Sequence, residues 1–358
     1  MKTTLLLLLA AAVAAPASAS AETDPRTLSG IFDGSGEKAS LDAFEPAVAP
    51  PAPEGAPLEP PPELTDARDR WGNQAQSALL KSLHPESNES FTFAVIGDVE
   101  GGRFPWQRWW SPGKDAFLRQ LRAIHAQSPD LIVQLGDFVS KGTAENYGAY
   151  LRLIGEEVSL PMFHVIGNHD RSRPNGEADK SLYRALFGEG DYSFDHNGWR
   201  FVAVDSSDSR LGSAQLAWLD RELETPLRKV VFTHVVPAFL EGRLQSTGPA
   251  DISAQFRGSG FFKEGSERFG EIMSERAVER VYMGHIHAFG SAVHKGVRYV
   301  LTAGGGSPLY PLPPDYPKRK KAHYLIIEAG PDGLKETVHE LDGTSFSLPP
   351  DRGLLPAD

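Results

Sequence analysis

Seven short apolar runs constrain this chain more than any other feature: FTFAVIG at 91–97, LIVQLG at 131–136, MFHVIG at 162–167, WRFVAVD at 199–205, KVVFTH at 229–234, RVYMGH at 280–285 and VRYVLTA at 297–303. Each is of strand length and rich in Val, Ile and Phe, and most end on a Gly, Asp or His. Helical spacing of apolar residues appears between them. KDAFLRQLRAIHAQ at 114–127 is one such stretch. SAQLAWLDREL at 213–223 is another, with a Ser cap and Leu216, Leu219 and Leu223 on one face. This alternation of strand and helix predicts an α/β fold, and no repeat at a fixed period competes with it.

Five polar motifs stand at the ends of five of these runs: Gly97-Asp98-Val99-Glu100, Gly136-Asp137, Gly167-Asn168-His169-Asp170, Thr233-His234 and Gly284-His285-Ile286-His287. In α/β sheets ligands bind outside the carboxyl ends of the strands. Asp98, Asp137, Asn168, His234 and His285 can therefore converge on one crevice, and His287, two residues beyond His285 in an extended turn, can face it too. The chain has no cysteine, which excludes disulfides, zinc-thiolate sites, iron–sulfur clusters and cysteine nucleophiles. The donors that remain are carboxylate oxygens, one amide oxygen and imidazole nitrogens, a set suited to manganese, iron or zinc. Two such ions roughly 3.5–4 Å apart can clamp a phosphoryl group, and an Asp between them can bridge them. No G-x-S-x-G, H-E-x-x-H or G-x-x-x-x-G-K-[ST] signature is present.

The ordered set GD, GD, GNHD, H and GHIH resembles the calcineurin-like metallophosphoesterase superfamily over roughly residues 91–330. The stretches YSFDHNGWRFVAVDSS at 192–207 and QLAWLDREL at 215–223 are similar to it as well. The resemblance implies a four-layer α/β/β/α sandwich of two mixed sheets and a site holding two metal ions per chain. It implies that Asp98 and His287 ligate the first metal, that Asp137 bridges, and that Asn168, His234 and His285 ligate the second. His169 would then stabilise the transition state or protonate the leaving group, with Asp170 orienting it as a carboxylate often does an imidazole. The implied reaction is hydrolysis of a phosphomonoester or phosphodiester by a metal-bound hydroxide. Two departures stand out. Many relatives carry a His two residues after the first Asp, where this chain has Glu100, which leaves Glu100 either a carboxylate ligand or a side chain turned away. Purple acid phosphatases carry a tyrosine ligand three residues after the second Asp, where this chain has Ser140, so tyrosinate coordination is excluded there.

Other residues near the motifs have two readings. Trp106, Trp109 and Trp110 form either an aromatic wall over the site or a small cluster pinning their own loop. Arg103, Arg171 and Arg173 either hold phosphate oxygens or lie on the surface. The Gly-rich segment 238–268 has the length of a substrate-selecting lid. His164, inside MFHVI, reads as a core side chain.

The termini read differently from the centre. MKTTLLLLLAAAVAAPASASAE has the charged start, apolar run and small-residue end of a secretory signal peptide, with cleavage after Ala19 or Ala21. PAVAPPAPEGAPLEPPPE at 46–63 is a Pro-rich linker. The expected organisation is a signal peptide at 1–21, a linker at 22–63, a metallophosphoesterase domain at 64–345 and a tail at 346–358, in a secreted or periplasmic protein with no transmembrane segment. The net charge of −11 argues against a nucleic-acid partner and leaves a small phosphate ester or a phosphorylated substrate. The rival reading is a non-catalytic exported binding or surface protein on the same fold, which loss of a ligand or of His169 would signal.

Overall fold

A computed structural model describes residues 60–87, 89–99, 112–244, 260–307 and 322–348. In chain order its strands are β1 (Phe91–Ile96), β2 (Leu131–Gln134), β3 (Met162–His164), β4 (Tyr192–His196), β5 (Trp199–Val204), β6 (Arg228–Thr233) and β7 (Val236–Pro237). They continue with β8 (Phe261–Phe262), β9 (Arg280–Met283), β10 (Phe289–His294), β11 (Val297–Thr302), β12 (His323–Gly330), β13 (Gly333–Glu340) and β14 (Ser345–Ser347). The helices are α1 (Thr65–Trp71), α2 (Asn73–Leu83), α3 (Pro112–Ala126), α4 (Ala144–Glu157), α5 (Ser181–Phe187), α6 (Ser213–Glu222) and α7 (Ser266–Glu275). All seven apolar runs form strands, and both helical stretches form helices.

Two mixed sheets of six strands carry the fold, ordered β14-β13-β12-β1-β2-β3 and β10-β11-β9-β6-β5-β4. Parallel pairing joins β1 to β2, β2 to β3, β5 to β6, β6 to β9 and β9 to β11, so the carboxyl ends of the motif-bearing strands within each sheet lie side by side. Local chemistry sets the connections. Thr143 caps α4 by accepting a hydrogen bond from the Asn146 amide. Asn197 and Gly198, both at positive φ, make the tight turn between β4 and β5, the pattern expected of an Asn-Gly hairpin.

Side-chain alternation assigns the two faces of each strand to different cores. Phe93 and Val95 of β1 join Phe201 and Phe232 of the other sheet in one cluster, while Ala94 and Ile96 join Phe117 of α3 and Tyr147 of α4 in another. Val202 and Val204 of β5 face a third cluster with Leu219 of α6 and Phe269 of α7. Strands of both sheets thus share one cluster, and their other faces pack into clusters that include helix residues. Each aromatic side chain buried there is worth about 1.5–3 kcal/mol.

The helices before the motif core were not apparent from periodicity. Trp71 of α1 is buried, and Gln76 of α2 accepts a hydrogen bond from the Met162 amide on edge strand β3 at 2.6 Å, satisfying a donor that the sheet leaves unpaired. The 238–268 segment is partly fixed. Val236 and Pro237 pair with Phe261 and Phe262, and Phe239, Leu240 and Leu244 are buried. Its middle lies outside the described residues, as do the expected signal peptide, nearly all of the expected linker and most of the expected tail.

Candidate metal centre

Three of the predicted site residues occupy backbone conformations that L-residues seldom adopt. Asp98, Asp137 and His285 have φ of 58°, 53° and 73°, each of order 1–3 kcal/mol of strain that surrounding contacts must hold. Those contacts are present. The Asp98 amide donates to the Gly136 carbonyl at 3.1 Å, and the His285 amide donates to both Asp98 carboxylate oxygens at 3.0 and 3.1 Å. The His169 amide donates to Asp137 Oδ1 at 2.8 Å. Gly136 makes the crowding possible: its φ is +95°, and a Cβ there would lie 2.6 Å from His234 Nδ1.

The predicted ligands come together in two groups. In one, His234 Nε2 lies 3.2 Å from Asp137 Oδ2, 3.1 Å from Asn168 Oδ1 and 3.3 Å from His285 Nδ1, and Asn168 Oδ1 is 2.9 Å from His285 Nδ1. In the other, Asp98, Asp137 and His287 each offer an atom within 4.8 Å of the rest, with Asp98 Oδ1 3.4 Å from His287 Nε2. Ligand atoms around a tetrahedral ion with bonds of about 2.0–2.1 Å are about 3.3 Å apart. The spacing of the first group therefore fits a cation among four donors, and Asp137 belongs to both groups. His234 Nδ1 faces the Leu135 carbonyl at 2.7 Å. Donation there fixes the tautomer with the Nε2 lone pair directed into the site.

Electrostatics in the cluster are those of acids and bases forced together. Burial pushes the Asp137 carboxyl up, but the charges of His234, His169 and His285 and the His234 hydrogen bond outweigh it and hold the group well below the usual carboxylate range. Burial pushes His234 down, yet Asp137 overrides it and raises the imidazole to about 10. His285 goes the other way, to about 3, lowered by burial and by the neighbouring His234.

Asp170 has a different task from the one its position suggested. Its carboxylate is 1% exposed. Oδ2 accepts from the Asp137 and Gly167 amides at 2.8 and 2.7 Å, and Oδ1 accepts from the Phe138 and Val139 amides at 3.1 and 3.2 Å. Four donors fill its acceptor sites, leaving none for the His169 ring. His169 Nδ1 instead faces the Ser140 carbonyl at 3.1 Å. Asp170 therefore ties the Asp137 turn to the Asn168 turn and does not orient the imidazole. Arg171 is corrected too: it is 2% exposed, and its guanidinium points inward to the carbonyls of Asn168, Pro174 and Gly176 and to Asp208. It cannot hold a phosphate from there. Arg173 is exposed and donates to the Glu177 carbonyl at 2.7 Å. His164 is buried in the aromatic core with Nε2 3.0 Å from the Tyr150 hydroxyl. Glu100, Arg103, Trp106, Trp109 and Trp110 lie outside the described residues.

Sequence reasoning missed the turn after β5. Ser206 Oγ accepts hydrogen bonds from Thr233 Oγ1 at 2.7 Å and the Val235 amide at 2.8 Å, gripping both neighbours of His234. The signal was available: Asp205-Ser206-Ser207-Asp208 is a polar run at the end of an apolar parallel strand, like the five motifs.

Similarity to known proteins bears on the fold and the family. A search of curated proteins finds similarity to a probable cyclic nucleotide phosphodiesterase of Fibrobacter succinogenes, 21% identical over 178 residues, covering 48% of this chain and 63% of the relative. The fold is similar to that of a dimetal phosphatase from Danio rerio, with a TM-score of 0.51 and 15% identity over 72% of this chain and 98% of that one. It is also similar to a purple acid phosphatase from yellow lupin (Lupinus luteus) seeds, with a TM-score of 0.52 and 14% identity over 74% of this chain and 54% of that one. The chain thus spans less than two thirds of the curated relative and about half of the lupin enzyme. The calcineurin-like phosphoesterase profile matches residues 91–289, more than half of the sequence. With that match over the strands that carry the clustered donors, this chain belongs to the calcineurin-like phosphoesterase family.

Proposed function

We propose that this chain is an exported hydrolase of phosphate esters that works with two metal ions. The observation that carries the proposal is the convergence of Asp137, Asn168, His234 and His285 at spacings matching those around a tetrahedral cation, with Asp98 and His287 forming a second group that also includes Asp137. In this reading Asp98 and His287 hold one ion, Asn168, His234 and His285 the other, and Asp137 bridges. Two ions bound there supply an activated water and neutralise charge growing on the phosphoryl oxygens. Manganese, iron and zinc suit the donors.

The chain's own residues supply the rest. With Nδ1 facing the Ser140 carbonyl, the His169 imidazole is the group that delivers a proton to the departing alkoxide. The sequence has no cysteine and no G-x-S-x-G signature to supply a nucleophile, so water attacks phosphorus directly and no phosphorylated residue forms. Export follows from the N-terminal pattern of Lys2, an apolar run and small residues. Among the described residues no helix is long and apolar enough to cross a membrane. The relative named a probable cyclic nucleotide phosphodiesterase makes a phosphodiester the first substrate to assay. Metal-loaded protein is expected to release chromophore from bis-p-nitrophenyl phosphate or from p-nitrophenyl phosphate. Absence of turnover on both, with manganese, iron or zinc, would contradict the proposal.

A further inference from the structure

We infer that Arg171 and Asp208 are positioning residues that aim the Asn168 carboxamide, and that the turn after β5 thereby sets the second metal position; this rests on reading Asn168 as a ligand. An asparagine can serve a cation only through its oxygen, so something must hold the amide nitrogen the other way. Here the Pro174 carbonyl does so, accepting from Asn168 Nδ2 at 3.3 Å while Asn168 Oδ1 faces His234 and His285. Arg171 holds that carbonyl in place. Its Nη2 donates to Pro174 O at 2.8 Å, Nη1 to Gly176 O at 2.9 Å and Nε to Asn168 O at 3.2 Å. One guanidinium thus closes the whole 168–176 loop onto itself.

The guanidinium is in turn fixed from the turn after β5. Its Nη1 also pairs with Asp208 Oδ1. Asp208 Oδ2 lies 2.7 Å from Lys180 Nζ, which lies 2.6 Å from Asp205 Oδ2. Asp205 accepts from the Ser207 amide and hydroxyl at 3.0 and 2.6 Å. Arg171, Asp208, Lys180 and Asp205 therefore form a largely buried chain of alternating charge that ends on the turn whose Ser206 also grips the residues flanking His234. Buried ion pairs of this kind are often no more stabilising than apolar packing of the same volume. What apolar side chains could not do is direct the Pro174 carbonyl at an amide nitrogen. Lysine at 171 would keep the charge and lose the fork that reaches several acceptors at once.

The test is metal affinity. Chelator-stripped wild-type protein, Arg171→Lys and Asp208→Asn are titrated with zinc ions against a chromophoric chelator. Thermal unfolding of the metal-free forms checks that each is folded, and Asp220→Asn, which loses a surface pair with Arg276, serves as control. The expected result is two ions per wild-type chain, with one of the two weakened about 10–100-fold in Arg171→Lys, the usual effect of losing a residue that orients a ligand. Asp208→Asn should move the same ion in the same direction, and the control neither. If wild type binds two ions and both variants bind them unchanged, or lose both equally, the positioning role is overturned. Wild type that takes up fewer than two ions overturns the ligand reading beneath it.

Discussion

Replacing Asp170 with asparagine separates a structural role from a chemical one. The wild-type carboxylate accepts two backbone amides on each oxygen, and these amides belong to the turns that carry Asp137 and Asn168. An asparagine of the same shape turns one oxygen into an NH2 group, so two buried amides lose their acceptor and meet a donor. Each buried donor left without a partner costs about 1–3 kcal/mol, about 2–6 kcal/mol for the two. Removing a buried charge beside Asp137 offsets part of this, and a net loss of about 2–4 kcal/mol is expected. Against a total of about 5–15 kcal/mol that is large, and it corresponds to a fall in melting temperature of roughly 5–15 °C for a domain of this size. Urea unfolding of chelator-stripped wild type and Asp170→Asn at pH 7, followed by circular dichroism, measures it. Were Asp170 acting only on the His169 ring, the variant would lose turnover and keep its stability. A difference below about 0.5 kcal/mol, the scatter of an ordinary surface substitution, would rule out this role for Asp170.

Three further outcomes are expected. His169→Ala should retain its metal while turnover falls about 10²–10⁴-fold, checked by elemental analysis beside rates on a chromogenic ester; loss of metal instead would make His169 a ligand. Gly167→Ala should abolish metal binding, because a Cβ there would lie 2.2 Å from Asp137 Oδ1, whereas Gly176→Ala, in open space at φ +69°, should cost only about 1–2 kcal/mol in the same unfolding assay. Burial lowers the His164 imidazole from 6.5 to about 3, so its contribution is fully present above pH 6.5 and declines as pH falls from there towards 3, because the unfolded chain binds the proton first. Metal-free His164→Phe should therefore lose stability less steeply than wild type over that window, by up to about 1.4 kcal/mol per pH unit; parallel curves would contradict the assignment.

Much of this site is legible in the sequence because its parts are local. A strand of four to six apolar residues followed by Gly-Asp, Gly-Asn-His or Gly-His announces both the element and the residue it presents, and parallel pairing brings those ends together. What Asp170 and Arg171 do is not legible in the same way. Their positions beside Asn168 and His169 suggest chemistry, yet which way each side chain turns depends on where the amides of residues 137–139 and the carboxylate of Asp208 arrive, and these come from other strands. The helices at 65–83 escaped for a related reason: few of their residues are apolar, and they are held by single contacts such as Trp71 and Gln76 rather than by a broad stripe.

Stepwise reconstitution decides whether hydrolysis depends on two metal ions held by Asp98, Asp137, Asn168, His234, His285 and His287. Chelator-stripped protein is titrated with manganese or zinc while hydrolysis of bis-p-nitrophenyl phosphate is followed. No turnover is expected at the start, followed by a rise that levels off at two ions per chain. Turnover by the metal-free protein, or a plateau reached at one ion per chain, would contradict that dependence.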